Sequence, residues 1–252
     1  MAGDTDKRGR IRLPEKITVC LFDLDGVLTQ TAKVHSEAWK EMFDAFLKER
    51  EGDGFRPFEI ATDYITYVDG RLRQDGVRVF LESRGIQLPE GSPDDSPEEE
   101  TINGLGNRKN ERVQQLIREK GVETFPGSVR FLEAANEVGL RCAVVSASKN
   151  TPEVLKVTGM EHLFQVRIDG NVAAERNLPG KPAPDTFLAA AEAFGVEPGQ
   201  CVVFEDATSG VEAGRAGRFG LVVGVDRTGQ ADALREHGAD IVVNDLSELL
   251  EE

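Results

Sequence analysis

Ile17 to Phe22 form a short run, almost wholly apolar and rich in β-branched residues. That pattern fits a central strand covered on both faces better than one with a wet side. Similar runs recur at Ala143–Ser146, Val202–Glu205, Leu221–Val225 and Ile241–Val243. From Phe125 onward helix signals alternate with these runs, which predicts a parallel sheet of doubly wound type. Between the first and second runs the pattern is different. Ala38, Met42, Ala45 and Phe46 recur at helical spacing over Val34 to Arg50, and Gly52 to Gly54 end that helix. Ala61 to Val68 fits either type of element, Asp69-Gly70-Arg71 reads as a turn, and Val77, Phe80 and Leu81 mark a short helix closed by Gly85. Leu88 to Glu100 is rich in Pro, Asp and Glu and reads as an exposed loop with a solvated charge run. Asn107 to Lys120 is helical again, with Val113, Leu116 and Ile117 on one face.

The expected fold class is therefore α/β, a Rossmann-like, doubly wound parallel sheet core with an inserted helical cap domain. Residues 15–31 and 123–252 form the discontinuous core, residues 32–122 the cap, and residues 1–14 a flexible N-terminal tail. A chain of 252 residues is long enough for this arrangement.

Composition changes the picture in one respect. Hydrophobic residues at 39% and charged residues at 30% are ordinary for a globular chain, but the net charge is −15. That argues against nucleic acid or an anionic membrane as partner. It does not argue against a small anionic substrate, because a local cluster of Lys and Arg overrides the global sign. No apolar stretch reaches the length of a membrane span, and Met1 to Arg12 lack the apolar region of a secretory signal, so a cytoplasmic protein is expected. Cys20, Cys142 and Cys201 each fall inside an apolar run and match no zinc spacing, so they read as buried reduced thiols.

The candidate chemistry lies at the ends of the apolar runs. Asp23 and Asp25 follow the first run two residues apart, so on an extended chain their side chains lie on one side. Gly26 then allows a turn. Two crowded carboxylates repel, and a hard divalent cation is a natural compensation; a solvated turn is the plainer alternative. Val144-Val145-Ser146-Ala147-Ser148-Lys149-Asn150-Thr151-Pro152 ends a strand in small hydroxyl residues and opens a helix, which makes a phosphate site. Capping alone accounts for Ser148 to Thr151, and less well for Ser146. Gly180-Lys181-Pro182-Ala183-Pro184-Asp185 presents Lys181 from a loop clamped by two prolines; a solvated lysine is the plainer alternative. Val203-Phe204-Glu205-Asp206-Ala207-Thr208 ends another run in adjacent carboxylates, read either as metal ligands or as helix caps. In open α/β sheets ligands bind at this carboxyl edge.

Asp23-Leu24-Asp25-Gly26-Val27-Leu28-Thr29 and the three later motifs, in this order, resemble the signatures of the haloacid dehalogenase superfamily. The resemblance extends over nearly the whole chain after residue 14 and is closest to the β-phosphoglucomutase-like subfamily. It implies that Asp23 accepts a phosphoryl group, that Asp25 is a general acid/base, and that Lys181 neutralises charge on Asp23 and on the transferring phosphoryl group. Mg²⁺ is the implied cofactor, with Asp23, Asp25, Glu205 and Asp206 as its ligands. Within the cap, the subfamily's His and Trp match His35 and Trp39. Four residues apart, they share a helix face, although Trp39 also suits a cap core and His35 an ordinary helix surface. The subfamily's phosphate-binding Gly-x-x-Arg turn matches Gly70 and Arg73, an Arg-Lys-Asn run matches Lys109, and Ser146, Ala147, Ser148, Lys149 and Asn150 match its second motif residue for residue. Two positions depart: Asp69 stands where the type member has Lys, and Gln30 where an Asp commonly precedes Thr. Gly104-Leu105-Gly106 follows no strand and completes no dinucleotide fingerprint.

The implied activity is interconversion of β-D-glucose 1-phosphate and glucose 6-phosphate through an aspartyl-phosphate and β-glucose 1,6-bisphosphate. A Mg²⁺-dependent phosphatase of small phosphorylated metabolites is the alternative on the same fold; a non-catalytic binding protein is a third. A small phosphorylated sugar is the expected partner, with no nucleic acid, no membrane and a monomeric chain.

Overall fold

In the computed structural model the described residues are 10–68 and 73–251. Six parallel strands form one sheet: β1 (Val19–Phe22), β2 (Arg141–Val145), β3 (Val166–Ile168), β4 (Cys201–Glu205), β5 (Leu221–Val225) and β6 (Ile241–Val243), in the order β3-β2-β1-β4-β5-β6. The sheet is α/β and doubly wound. Strands β1, β2 and β4 are almost wholly buried, as their continuous apolar runs require. Phe22 is in register with Val144 on one side and Phe204 on the other. The chain leaves β1 towards β2 and β3, then returns to the other side at β4. The crevice between the carboxyl ends of β1 and β4 is therefore the switch point where such sheets bind ligands. β3 carries no strong sequence signal: it is three residues long, with Arg167 between Val166 and Ile168.

Contacts divide the chain into two compact units, residues 1–30 with 122–252, and residues 31–121. The second unit is built on α1 (Thr31–Glu51), α2 (Arg73–Ser83) and α3 (Ile102–Lys120), with a wide π-type helical turn over Ile60–Val68. Its core is aromatic. Phe43 packs against Trp39, Phe58 and Phe80, with ring centroids 5.2, 5.3 and 4.1 Å away. Arg84, on the segment after α2, pairs with buried Asp63 at 2.8 Å and pins the wide turn. Helix α3 starts five residues earlier than the periodicity predicts. Thr101 Oγ1 caps it by accepting from Gly104 N at 2.8 Å. Gly104 permits close approach there: a Cβ on it would collide with the Glu99 carbonyl. The 88–100 loop is more than solvated charge. Glu90 pairs with Arg78, and Asn107 and Arg108 of α3 donate to the carbonyls of Pro93, Asp95 and Pro97.

In the first unit, α4 (Pro126–Glu137), α5 (Thr151–Thr158), α6 (Gly170–Glu175), α7 (Asp185–Phe194), α8 (Thr208–Ala216) and α9 (Ala231–Glu236) connect the strands. The expectation of a free tail over residues 1–14 is corrected for its last part. Ile11 is buried and bridges Leu250, and Arg12 N donates to Leu249 O at 2.8 Å, because an apolar side chain there finds the C-terminal segment. Residues 1–9 lie outside the described residues. No helix among the described residues is long and apolar enough to cross a membrane.

Candidate active site

Asp23 is the first residue past β1, and its N–H donates to Phe204 O at 3.0 Å, continuing the ladder to β4. The chain then turns within itself: Gly26 N donates to Thr29 O at 2.8 Å and Leu28 N to Leu24 O at 3.0 Å. Gly26 has φ +86°, and a Cβ there would collide with the Asp206 carboxylate. Glycine is thus required twice, by conformation and by the approach of a second acidic group. Gly210 plays the same part at β4, where a Cβ would collide with the Glu205 carboxylate.

Lys181 bridges two of these strand-end carboxylates. Its Nζ donates to Asp23 Oδ1 at 2.6 Å, Glu205 Oε1 at 2.5 Å and Val145 O at 3.2 Å, and lies 4.8 Å from the Phe187 ring centroid. The solvated-lysine reading is excluded, since the side chain is only 11% exposed. Burial alone would lower its pKa, but Asp23 and Glu205 more than reverse that and hold it charged. One ammonium cannot offset four carboxylates. Burial, with Glu205, Asp25 and Asp206 adding to it, raises the Asp23 carboxyl well above the usual range despite Lys181. Asp206 is pushed up to about 8 by burial and by the charges of Glu205 and Asp25.

One oxygen from each of Asp23, Glu205 and Asp206 lies within 4.8 Å of the others. An all-oxygen, buried, over-negative donor set fits a hard divalent cation. Glu205 is the most committed of the three: besides Lys181 it accepts from Ala207 N at 3.0 Å. Asp25 stands at the same edge, partly exposed, 3.4 Å from the Ser146 hydroxyl.

The loop after β2 is built by hydroxyls. Ser146 Oγ accepts from Ser148 N, and Ser148 Oγ from Asn150 N, both at 3.1 Å. Thr151 Oγ1 donates to Ser148 O at 2.9 Å, while Asn171 holds the Lys149 carbonyl at 3.0 Å. Ser146 and Asn150 are buried, whereas Ala147 and Lys149 are exposed.

The helical unit gathers His35, Trp39 and Lys109. Lys109 Nζ lies 2.9 Å from His35 Nδ1 and 4.9 Å from the Trp39 ring centroid. An ammonium only donates, so Nδ1 accepts and the His35 proton sits on Nε2. Burial and Lys109 both push the His35 pKa well below its ordinary value. Trp39 belongs to the aromatic core and also presents its face to this cation. Arg73, the first residue of α2, donates to Asn107 Oδ1 at 3.3 Å, while its Nε is buried without a hydrogen-bond partner among the described residues. Gly106 faces the Arg73 side chain, with which a Cβ would make ordinary contact. Gly70, with Asp69, lies outside the described residues.

Periodicity and motifs passed over Gly106, Asn107, Arg227 and Gln230. For the last two a signal existed: both follow a buried strand at the same carboxyl edge as the motifs.

A buried Asp-Lys-Glu chain at the switch point, flanked by two more carboxylates, defines a class of α/β phosphoryl-transfer sites. The chain belongs to the haloacid dehalogenase-like hydrolase family, whose profile matches residues 17–218. It is an enzyme of that family, in its β-phosphoglucomutase-like branch. It is 58% identical over 244 residues to a beta-phosphoglucomutase of Mycobacterium bovis, covering 94% of this chain and 93% of that one. It is 32% identical to a beta-phosphoglucomutase of Bacillus subtilis, covering 91% of this chain and 90% of the other. Among solved structures, the beta-phosphoglucomutase of Clostridium difficile matches with TM-score 0.71 and 27% identity over 92% of this chain and 93% of that one.

Proposed function

We propose that this enzyme is a β-phosphoglucomutase that interconverts β-D-glucose 1-phosphate and glucose 6-phosphate. The observation that carries the reading is the Asp23–Lys181–Glu205 chain, which presents one restrained carboxylate oxygen at the sheet edge beside a second, unburied acid, Asp25. Asp23 attacks phosphorus with one oxygen and becomes an acyl phosphate. Asp25 gives a proton to the departing sugar oxygen and, in the reverse transfer, takes one from the attacking hydroxyl. Lys181 holds Asp23 in place and balances charge on the transferring group, and the Ser146 hydroxyl serves its oxygens.

Asp23, the Asp25 end of the turn, Glu205 and Asp206 would hold Mg²⁺, which when bound supplies positive charge at the phosphoryl oxygens. The second phosphate of the bisphosphate needs its own partners. Arg73 and Lys109 are the helical unit's candidates, with Lys109 set by His35 and Trp39; Ser148, Lys149 and Asn150 are the core's. Arginine suits that task because its fork is bidentate towards phosphate. A soluble, monomeric enzyme acting on a small phosphorylated sugar is part of the same reading.

The test is a product assay with β-glucose 1-phosphate and catalytic glucose 1,6-bisphosphate. Glucose 6-phosphate formed faster than inorganic phosphate is the expected result. Phosphate released faster than the sugar is isomerised would make the enzyme a phosphatase instead.

A further inference from the structure

Arg227 lies two residues beyond β5, outside every motif, yet all five of its N–H donors are used. Nε donates to Gly26 O at 2.9 Å, and Nη2 to Val27 O at 3.0 Å and Ser128 Oγ at 2.9 Å. Nη1 donates to Asn244 O at 2.8 Å and Asp245 Oδ2 at 3.2 Å. The guanidinium carbon lies 3.6 Å from the centroid of the Phe125 ring. We propose that Arg227 is a positioning residue for phosphoryl transfer: its fork on the Gly26 and Val27 carbonyls fixes where the Asp25 turn sits against the ends of β1 and β4.

The bonds of Gly26 N and Leu28 N close the turn on itself. They set its shape but not its place. Arg227 ties it instead to three separate segments, the start of α4, the end of β6 and its own loop. That loop is stiff, because the Asp226 carboxylate accepts from the N–H groups of Thr228, Gly229, Gln230 and Ala231. The same loop grips the other acidic strand end: Gln230 Nε2 donates to Asp206 O at 2.8 Å. Since Gly26 backs directly onto the Asp206 carboxylate, a shift of its carbonyl would change the spacing of Asp25 and Asp206 together. A planar, permanently charged fork spans two successive carbonyls in a way that an ammonium cannot. Misplacement of a reacting group by 1 Å can cost about 10²-fold in rate.

The inference rests on the proton role proposed for Asp25, and the test separates the two. A sugar alkoxide needs a proton to leave, whereas para-nitrophenolate does not. In Arg227→Met, kcat on the sugar phosphate should fall roughly ten- to a hundredfold with KM within about twofold, while the rate of the para-nitrophenolate burst that forms the acyl phosphate from para-nitrophenyl phosphate changes by less than about threefold. Arg227→Lys, which keeps the charge but not the fork, should show the same split to a smaller degree. Equal losses on both substrates, or a folded Arg227→Met with wild-type sugar-phosphate turnover, would overturn the inference. If Arg227→Met does not fold, wild-type behaviour of Arg227→Lys overturns it equally. Full sugar-phosphate turnover by Asp25→Asn would instead overturn the role of Asp25, and the inference with it.

Discussion

In the core unit four carboxylates, Asp23, Asp25, Glu205 and Asp206, share the edge with the Lys181 ammonium, which holds two of them. In the helical insert two cations, Arg73 and Lys109, rest on an amide, an imidazole and an indole face. These insert groups position their cations. The core's donor set thus suits a cation, and Arg73 and Lys109 suit an anion. A hydrolase acting on small esters has use for the first set alone. A mutase, which must hold a second phosphate, has use for both.

The largest expected effect sharpens the core side. Asp23→Asn should lower turnover by at least about 10⁴-fold with the fold intact, because an amide is a poor nucleophile and no other group accepts the phosphoryl. Hydroxylamine-labile labelling by a phosphodonor, with circular dichroism as the control, reads this. A labelled Asn variant would remove Asp23 from its assigned role. Asp25→Asn should come next, slowing transfer from sugar phosphates by about 10²–10⁴-fold while divalent-metal binding, followed by calorimetry, is retained. Unchanged turnover would leave the proton to some other group.

The two units also differ in how readily their sequence could be read. Core strands announce themselves because burial on both faces demands apolar runs such as Val19–Phe22, and the acidic residues that interrupt those runs fall at strand ends. The exception is β3, too short and too polar at Arg167 to stand out. In the insert, helix periodicity found the elements but misjudged α3. Gly104 and Gly106 lower helix propensity locally, yet backbone approach at Glu99 requires the first of them. Tertiary contact overrode local preference there. For Arg227 the position beyond β5 was visible but the role was not: two of its partners are backbone carbonyls 200 and 201 positions away, and a carbonyl leaves no mark in a sequence.

The insert's half of the comparison is tested by Arg73→Ala. Losing one charge-assisted contact should cost roughly 1.5–3 kcal/mol of transition-state binding, about ten- to a hundredfold in mutase turnover. Hydrolysis of a small phosphate ester should be nearly unaffected. If both reactions fall equally, Arg73 is serving the fold rather than a second phosphate.

The smallest effect concerns how the insert keeps Lys109 in place. His35 accepts from Lys109, which only a neutral imidazole can do, and both burial and the ammonium lower its pKa in the folded state. The unfolded chain keeps an ordinary histidine near 6.5. Below that value the unfolded state binds the extra proton and the folded state resists it, so stability falls as the pH drops from about 6.5 towards the lower folded pKa. Above about 6.5 the imidazole is neutral in both states and contributes no slope. His35→Asn retains an acceptor near Nδ1 but cannot titrate. Urea denaturation of the two proteins across pH 7.5 to 5 should give difference curves that are flat above about 6.5 and diverge below it. The divergence should be at most about 1.4 kcal/mol per pH unit, with the wild type losing more. Parallel curves throughout would mean that His35 protonates freely in the folded protein and that Lys109 is held by other means, the Trp39 face first among them.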